Sequence, residues 1–446
     1  MPTRRDILRL AGSLFARKTN VVVLLTDDQR YDTIGALEHP DVKTPNLDAL
    51  VRNGTTFTHA CIMGGTIGAV CVPSRAMLLT GQSLFHVHNS IIETKAAVNT
   101  RPFILFPEEM RQEGYTTYGI GKWHNGRPLY QRCFSDGDNI FFGGMSDQIK
   151  TSVSKYDKTG VYPDEARIVG DKFSSERFSD SAIRFLERYR GSDPFLLYVA
   201  YTSPHDPRMA PERFARMYDP ARIQLPPNFM PEHPFDNGEM KVRDETLAPW
   251  PRTEPEIRKH IAGYYAMVSE VDAQIGRVLR SLEQSPHAAN TIVVFAGDNG
   301  LACGQHGLLG KQNLYDHSMR VPLVFQGPGI KSRKRNNSLC YLYDVCPTLL
   351  AMTGLGVSGN VEGQHLWNQK PRQSVMAAYR NVQRALRTNT HKLIEYTVGG
   401  KRTTQLFDLK RDPWEMRNLA SQHLEQVQNL RQQLREWMHR TDDPLN

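Results

Sequence analysis

The 446-residue chain has no apolar stretch approaching the ~20 residues that cross a bilayer, and its longest runs, 21–26 and 291–297, are strand-sized. No membrane span is expected. Its six cysteines, Cys61, Cys71, Cys133, Cys303, Cys340 and Cys346, stand far apart and form no Cys-x-x-Cys pair. That argues against a disulfide scaffold or a zinc knuckle. Internal repeats and low-complexity tracts are missing, and with 39% hydrophobic and 23% charged residues the chain is too apolar to be mainly disordered. Lys and Arg outnumber Asp and Glu by 55 to 47, a formal +8. This mild surplus is compatible with anionic partners, whether nucleic acid, acidic membranes, or sulfated and phosphorylated substrates. The basic cluster Lys331-Ser332-Arg333-Lys334-Arg335 has no interleaved aromatic residue, so it reads as a solvated loop and no nucleic-acid partner is expected.

What is present is an alternation. The runs 21–25, 195–200 and 291–296 are continuously apolar, as in strands covered on both faces of a parallel sheet. Helical spacing is read between them at 179–189 and at 261–282, where Tyr264, Tyr265, Val268, Val271, Ile275, Val278 and Leu282 form a core-facing stripe. Strand, helix and strand in turn predict an α/β domain with helices on both sides of the sheet. The last ~75 residues differ by the same pattern criteria. Segments 393–397 and 404–409 flank Gly399-Gly400 as a hairpin, and Leu424, Val427, Leu430, Leu434 and Trp437 follow helical spacing.

At the other end, Thr3-Arg4-Arg5-Asp6-Ile7-Leu8-Arg9 looks like a twin-arginine export signal. The apolar segment behind it is broken by Arg9 and Gly12. The expectation is an exported protein, periplasmic or extracellular, if the segment works, and a cytoplasmic one otherwise.

Ligands of open parallel sheets bind beyond the carboxyl ends of the strands. The three apolar runs lead there to Asp27-Asp28, to Thr202-Ser203-Pro204-His205-Asp206 and to Asp298-Asn299-Gly300. Each alone is ordinary turn chemistry, but all three together suggest a site. Asp27, Asp28 and Asp298 in one place would repel one another without a cation. Their oxygens, with the Asn299 amide, favour Ca²⁺, or else Mg²⁺, over Zn²⁺.

Three further stretches supply cations and a thiol. In Cys71-Val72-Pro73-Ser74-Arg75, Pro73 suits a first helical turn and Gly81 its end. Cys71 then sits at a helix amino terminus with Arg75 one turn on, suited to anion chemistry. In Gly121-Lys122-Trp123-His124, an extended backbone points Lys122 and His124 to one face and Trp123 to the other. In the glycine-rich stretch 304–311, flexibility is expected to bring Lys311 close to a small anion.

With these motifs assembled, the chain from about Asn20 onward resembles the formylglycine-dependent sulfatases of the alkaline-phosphatase-like superfamily. The most specific match is Cys71-Val72-Pro73-Ser74-Arg75 with its continuation Ala76-Met77-Leu78-Leu79-Thr80-Gly81. Asp27-Asp28, Gly121-Lys122-Trp123-His124, Ser203-Pro204-His205, Asp298-Asn299-Gly300, Gly310-Lys311 and Arg320-Val321-Pro322-Leu323 follow in the family's order. Leu406-Phe407-Asp408-Leu409, Asp412-Pro413 and Asn418-Leu419 are similar to its carboxyl-terminal subdomain. One departure is local: where the family commonly has an arginine after Thr80-Gly81, this chain reads Gln82-Ser83-Leu84-Phe85-His86-Val87-His88-Asn89.

The resemblance implies a large mixed, mostly parallel sheet sandwiched by helices, with a small carboxyl-terminal antiparallel-sheet subdomain and a terminal helix. The expected division is a targeting tail at 1–18, a catalytic domain at 19–370 and the subdomain at 371–446. It also implies conversion of Cys71 by a formylglycine-generating maturation enzyme to Cα-formylglycine, whose hydrate attacks sulfur. Asp27, Asp28, Asp298, Asn299 and modified Cys71 would bind the metal, and Arg75 would hold the nucleophile. Lys122 and Lys311 would hold sulfate oxygens, His124 would handle the diol proton, and His205 would protonate the leaving alcohol. The substrate expected is a sulfate ester, most readily of a carbohydrate. The alternatives are a phosphate or phosphonate ester hydrolase on the same fold and a non-catalytic sulfoglycan-binding protein. Specificity is left to loops such as 209–252, rich in proline and charge.

Overall fold

In a computed structural model, which describes residues 18–37, 39, 41–87, 103–357, 359–368 and 370–446, the first apolar run becomes strand β1 (Asn20–Thr26). Along it come β2 (Thr55–Cys61), β3 (Gly64–Gly65), β4 (Thr116–Lys122), β5 (Asp136–Phe141), β6 (Ser152–Val153) and β7 (Ile168–Val169). Then follow β8 (Phe195–Ala200), β9 (Thr291–Gly297), β10 (Leu323–Gln326) and β11 (Lys334–Tyr341). Eight of these form one sheet in the order β11-β2-β10-β9-β1-β8-β4-β5. The three continuously apolar runs are therefore the central strands β9, β1 and β8, parallel and buried along their whole length. Only β10 runs against its neighbours, which makes the sheet mixed and mostly parallel, as expected.

Period-two alternation assigns β1 to two layers. Val22 and Leu24 pack with Leu47, Phe178, Val271 and Ile275 on one side of the sheet. Val21, Val23 and Leu25 pack with Leu78, Leu79, Phe106 and Leu349 on the other. The helices on the first side run longer than their apolar stripes. The predicted 179–189 is Ser174–Arg188, and 261–282 is Glu254–Glu283, which starts with Pro255 in its first turn. Polar first turns carry no apolar periodicity, so the stripe underreports them. The basic cluster 331–335 is a loop only in part, because Lys334 and Arg335 begin β11, paired with Thr55 and Thr56 of β2. Pairing uses backbone groups that exposed charged side chains leave free.

The remaining strands, β12 (Ser374–Tyr379), β13 (Gln383–Thr388), β14 (His391–Val398) and β15 (Lys401–Asp408), form an antiparallel meander. Its last hairpin turns at Gly399-Gly400, both with positive φ. The terminal helix Leu424–Arg440 packs Val427, Leu430, Leu434 and Trp437 against it. Strand β3 extends this meander: Gly64 and Gly65 pair in parallel with Ala378 and Tyr379 of β12. A second tie is ionic, Asp316 lying against Arg387 and Lys392. The export-like segment 3–9, and His88-Asn89 after the nucleophile helix, lie outside the described residues.

Candidate active site

Parallel pairing of β1 with β9 in register, Thr26 beside Gly297, carries Asp27, Asp28, Asp298 and Asn299 off adjacent strand ends together. Backbone bonds continue past the sheet, with Asp298 N donating to Thr26 O and Asp27 N to Ser203 O. Asp28 takes φ +61°, and its amide donates to Asp298 Oδ1 at 3.0 Å. The turn is clamped by Tyr264 of the long helix, whose hydroxyl donates to Asp28 O and accepts from Arg30 N. Carboxylate oxygens of Asp27, Asp28 and Asp298 all lie within 4.8 Å of one another, and all three residues are buried.

The helix Cys71–Thr80 does begin at Cys71, carries Pro73 in its first turn and ends on Gly81 with φ +68°. Its Ser74 hydroxyl donates to Asp298 O at 2.5 Å, and Arg75 Nε to Asp298 Oδ2 at 2.8 Å. Arg75 Nη1 reaches Lys122 O at 2.7 Å, locking the nucleophile helix to the end of β4. Lys122 Nζ then donates to Asp27 Oδ2 at 2.5 Å and lies 3.7 Å from Cys71 Sγ. His124 Nδ1 is 3.2 Å from the same sulfur, while Trp123 turns into the core. Cys71 is thus within one ammonium group of the acid cluster.

Lys311 donates to both Asp28 oxygens, at 2.7 and 2.9 Å. The flexibility expected of 304–311 does not deliver it. The stretch is buried, and the Glu245 carboxylate accepts the Leu309 and Gly310 N–H groups. A buried backbone needs partners, and that requirement fixes the loop. His205 Nε2 faces Asp28 Oδ2 at 3.5 Å, and its Nδ1 is bonded to the Asp206 backbone carbonyl at 2.8 Å. All ten residues singled out from the sequence therefore meet at one place.

Three carboxylates and three cations compete there. Burial alone would raise Asp28, but His205, Lys311 and Lys122 hold it well below the ordinary carboxylate range. Burial and the Asp27 charge push Asp298 up to about 6 against the pull of Arg75. Burial lowers His205 to about 4, with Asp28 opposing. His124 is likewise held neutral by burial and by Lys122 and Arg75, and burial keeps the Cys71 thiol protonated. Asp27 Oδ1 and Asn299 Oδ1 are buried with no hydrogen-bond partner. Such orphaned oxygens beside crowded carboxylates fit a divalent cation with hard-oxygen preference. A second group of donor atoms, from Asp28, His205 and Asp206, adjoins the first.

Several contacts were not legible in the sequence. Ser74 stood inside the quoted motif without a role, Tyr264 was counted as core, and Arg243, which pairs with Asp206, lay in the uninterpreted segment 209–252. Composition alone marked that segment.

The family model described as Sulfatase matches residues 19–355. A second, N-sulphoglucosamine sulphohydrolase, C-terminal, matches 304–443. A protein named sulfatase from Formosa agariphila is 27% identical over 91% of this chain and 83% of its own. The ulvan-active sulfatase of the same organism is 28% identical over 92% and 79%. Among solved structures, BT4656 in complex with its substrate D-glucosamine-2-N,6-O-disulfate superposes with a TM-score of 0.79 at 23% identity, covering 96% of this chain and 99% of that one.

Proposed function

The chain belongs to the sulfatase family of sulfuric ester hydrolases, and from that premise we propose that it hydrolyses a sulfate ester of a carbohydrate, using a Cα-formylglycine made from Cys71 beside a Ca²⁺ ion. The observation that carries this reading is the meeting of Cys71, Lys122 and His124 with the cluster of Asp27, Asp28 and Asp298. The relatives' printed names, ulvan-active sulfatase among them, support a carbohydrate substrate.

Asp27, Asp28, Asp298 and Asn299 would hold the ion, and of their oxygens Asp27 Oδ1 and Asn299 Oδ1 have no hydrogen-bond partner to give up. A bound ion would supply acidification of a hydroxyl at position 71, where the hydrate of a formylglycine would offer one hydroxyl for attack and a second for sulfate release. The chain's own side chains do the rest. Arg75 fixes the first turn of the nucleophile helix on Asp298. Lys122 and Lys311, each now on a carboxylate of the cluster, are the cations able to turn to a sulfate oxygen once a metal takes over those carboxylates. With three acids, a divalent ion and Arg75, Lys122 and Lys311, the site carries +2 and so attracts a monoanionic ester. His124 Nδ1, 3.2 Å from the atom at the tip of residue 71, is placed to take a proton there. With its Nδ1–H donated to the Asp206 carbonyl, His205 turns Nε2 to the cluster, and it would protonate the leaving alcohol only after taking up a proton at that atom, against the burial that holds it neutral.

Maturation requires a formylglycine-generating enzyme as partner. Export rests on the twin-arginine-like segment, and cell fractionation tests it. The reading as a whole is tested by peptide mass spectrometry across Cys71 after co-expression with a maturation enzyme, followed by turnover of matched sulfate and phosphate esters. Formylglycine at 71, preference for the sulfate ester and loss of turnover in Cys71→Ala are expected. An intact thiol from an active host, or a dominant phosphate ester activity, overturns it.

A further inference from the structure

Two half-exposed guanidiniums lie beside the residues of the site and are not used by the chemistry above. Arg243 is held by two buried carboxylates: both its Nη atoms reach Asp206, and Nη2 also lies 2.7 Å from Asp244 Oδ1. Asp206 is the residue after His205, and Asp28 is among the charges that act on Arg243. Arg380, at the end of β12, is held by buried Glu239 through Nη1 at 2.5 Å. Its Nη2 lies against Gly68, where an added Cβ would stand 3.1 Å from it, and Gly68 is three residues before Cys71. Gln312 joins the two arginines' surroundings, donating to Gly68 O at 3.0 Å and to Asp244 Oδ2 at 2.9 Å. Gln312 directly follows Lys311, which holds Asp28.

Two observations separate these arginines from struts. Arginines elsewhere whose carboxylate partner is as deeply buried are sealed with it: the Arg252 side chain is 0% exposed on Glu245 and that of Arg384 is 5% exposed on Asp443, whereas exposed arginines such as Arg184 and Arg132 sit on more exposed carboxylates. Arg243 and Arg380, with equally buried carboxylate partners, keep 43% and 47% of their side chains in solvent. Arg380 also takes φ +42°, a left-handed backbone region that is unfavourable for a non-glycine residue and tends to persist where function requires it. A guanidinium has five N–H donors. The carboxylates consume only some of them and fix the fork's orientation, so the remaining donors are presented preorganised to solvent, matched to a carboxylate or sulfate.

We infer that Arg243 and Arg380 read a second anionic group on the substrate, a carboxylate or a further sulfate, beside the sulfate ester that is cleaved. This rests on the sulfatase reading above. The meander then does more than cap the core. Strand β3 pairs with β12, and that pairing sets Arg380 next to the loop that leads into the nucleophile, so selectivity is carried partly by the carboxyl-terminal sheet.

The test uses the full chain with residue 71 confirmed as modified, turning over 4-nitrophenyl sulfate, with two matched pairs of sugars as competitors. One pair is N-acetylglucosamine 6-sulfate against N-sulfoglucosamine 6-sulfate, and the other is iduronate 2-sulfate against its methyl ester. Inhibition at least about tenfold tighter by the doubly anionic member of one pair is expected, and the pair that shows it tells sulfate from carboxylate. In Arg380→Gln and Arg243→Gln that ratio should fall toward one, with Arg380→Lys retaining part of it. Equal inhibition within both pairs by the wild-type protein overturns the inference, whether or not a variant folds, as does a ratio that survives in both glutamine variants. Failure of the matured protein to turn over any sulfate ester overturns the sulfatase reading instead.

Discussion

Glu270 sits in the middle of the long helix Glu254–Glu283, one and a half turns beyond the Tyr264 that clamps the Asp28 turn. Its carboxylate accepts from Ser175 Oγ at 2.6 Å and Gln274 Nε2 at 3.1 Å, and among the described residues no cation pairs with it directly. Burial therefore wins, pushing Glu270 from an ordinary 4.5 up to about 7, with Ser175, Gln274 and the more distant Arg213 pulling the other way and Glu176 adding to the rise. At about 1.4 kcal/mol per pH unit this displacement corresponds to about 3 kcal/mol. A raised carboxyl contributes stability that is fully present below 4.5 and is lost as pH rises through about 7. Glu270→Gln keeps the size and the acceptor but cannot ionise, so it should match wild type near pH 5 and gain as pH climbs. At about 2.1 cal/mol/K per residue over 446 residues, 3 kcal/mol is about 3 °C in Tm. Calorimetric scans of both proteins from pH 5 to 9 read that gain as a difference that widens up to about pH 7 and then holds, in which every other titrating group cancels. A constant difference across the range, or a variant that melts lower at pH 9, would refute the reasoning.

Two further outcomes concern the site. Chelator-treated protein should gain stability on adding Ca²⁺, by about 2.7 kcal/mol at a hundred times Kd, and Asp28→Asn should lose most of that gain. Equal Tm values with and without Ca²⁺ or Mg²⁺ would remove the cation from the account. Gly64→Ala places a Cβ 2.1 Å from Ala378 O at φ +85°, whereas Gly114→Ala has φ +88° and nothing within 4 Å. Both share the backbone penalty of about 1 kcal/mol, so a larger loss of Tm and of turnover in Gly64→Ala isolates the β3–β12 contact. Equal losses would show that this pairing does not position the loop before Cys71.

The sequence by itself determined the centre of the fold and the chemistry gathered there. The three apolar runs have the pattern of doubly covered strands, and ligands of such sheets gather beyond the strands' carboxyl ends, so Asp27, Asp28, His205, Asp298 and Asn299 were readable as a set from local pattern. For Cys71 and Arg75 the local pattern at Pro73 gave only the helix start, and their roles came from the resemblance of Cys71-Val72-Pro73-Ser74-Arg75 to the sulfatase motif. Tertiary structure alone decided what depends on contacts between distant segments. It set Lys122 on Asp27, Tyr264 under Asp28 and Glu245 under the backbone that delivers Lys311, none of which leaves a period in the sequence. Arg243 and Arg380 come from the 3₁₀ helix Arg243–Leu247 and the turn after β12, more than a hundred residues apart. Their placement follows from β3 joining β12 and from buried carboxylates seeking partners, long-range constraints that no window of neighbouring residues records.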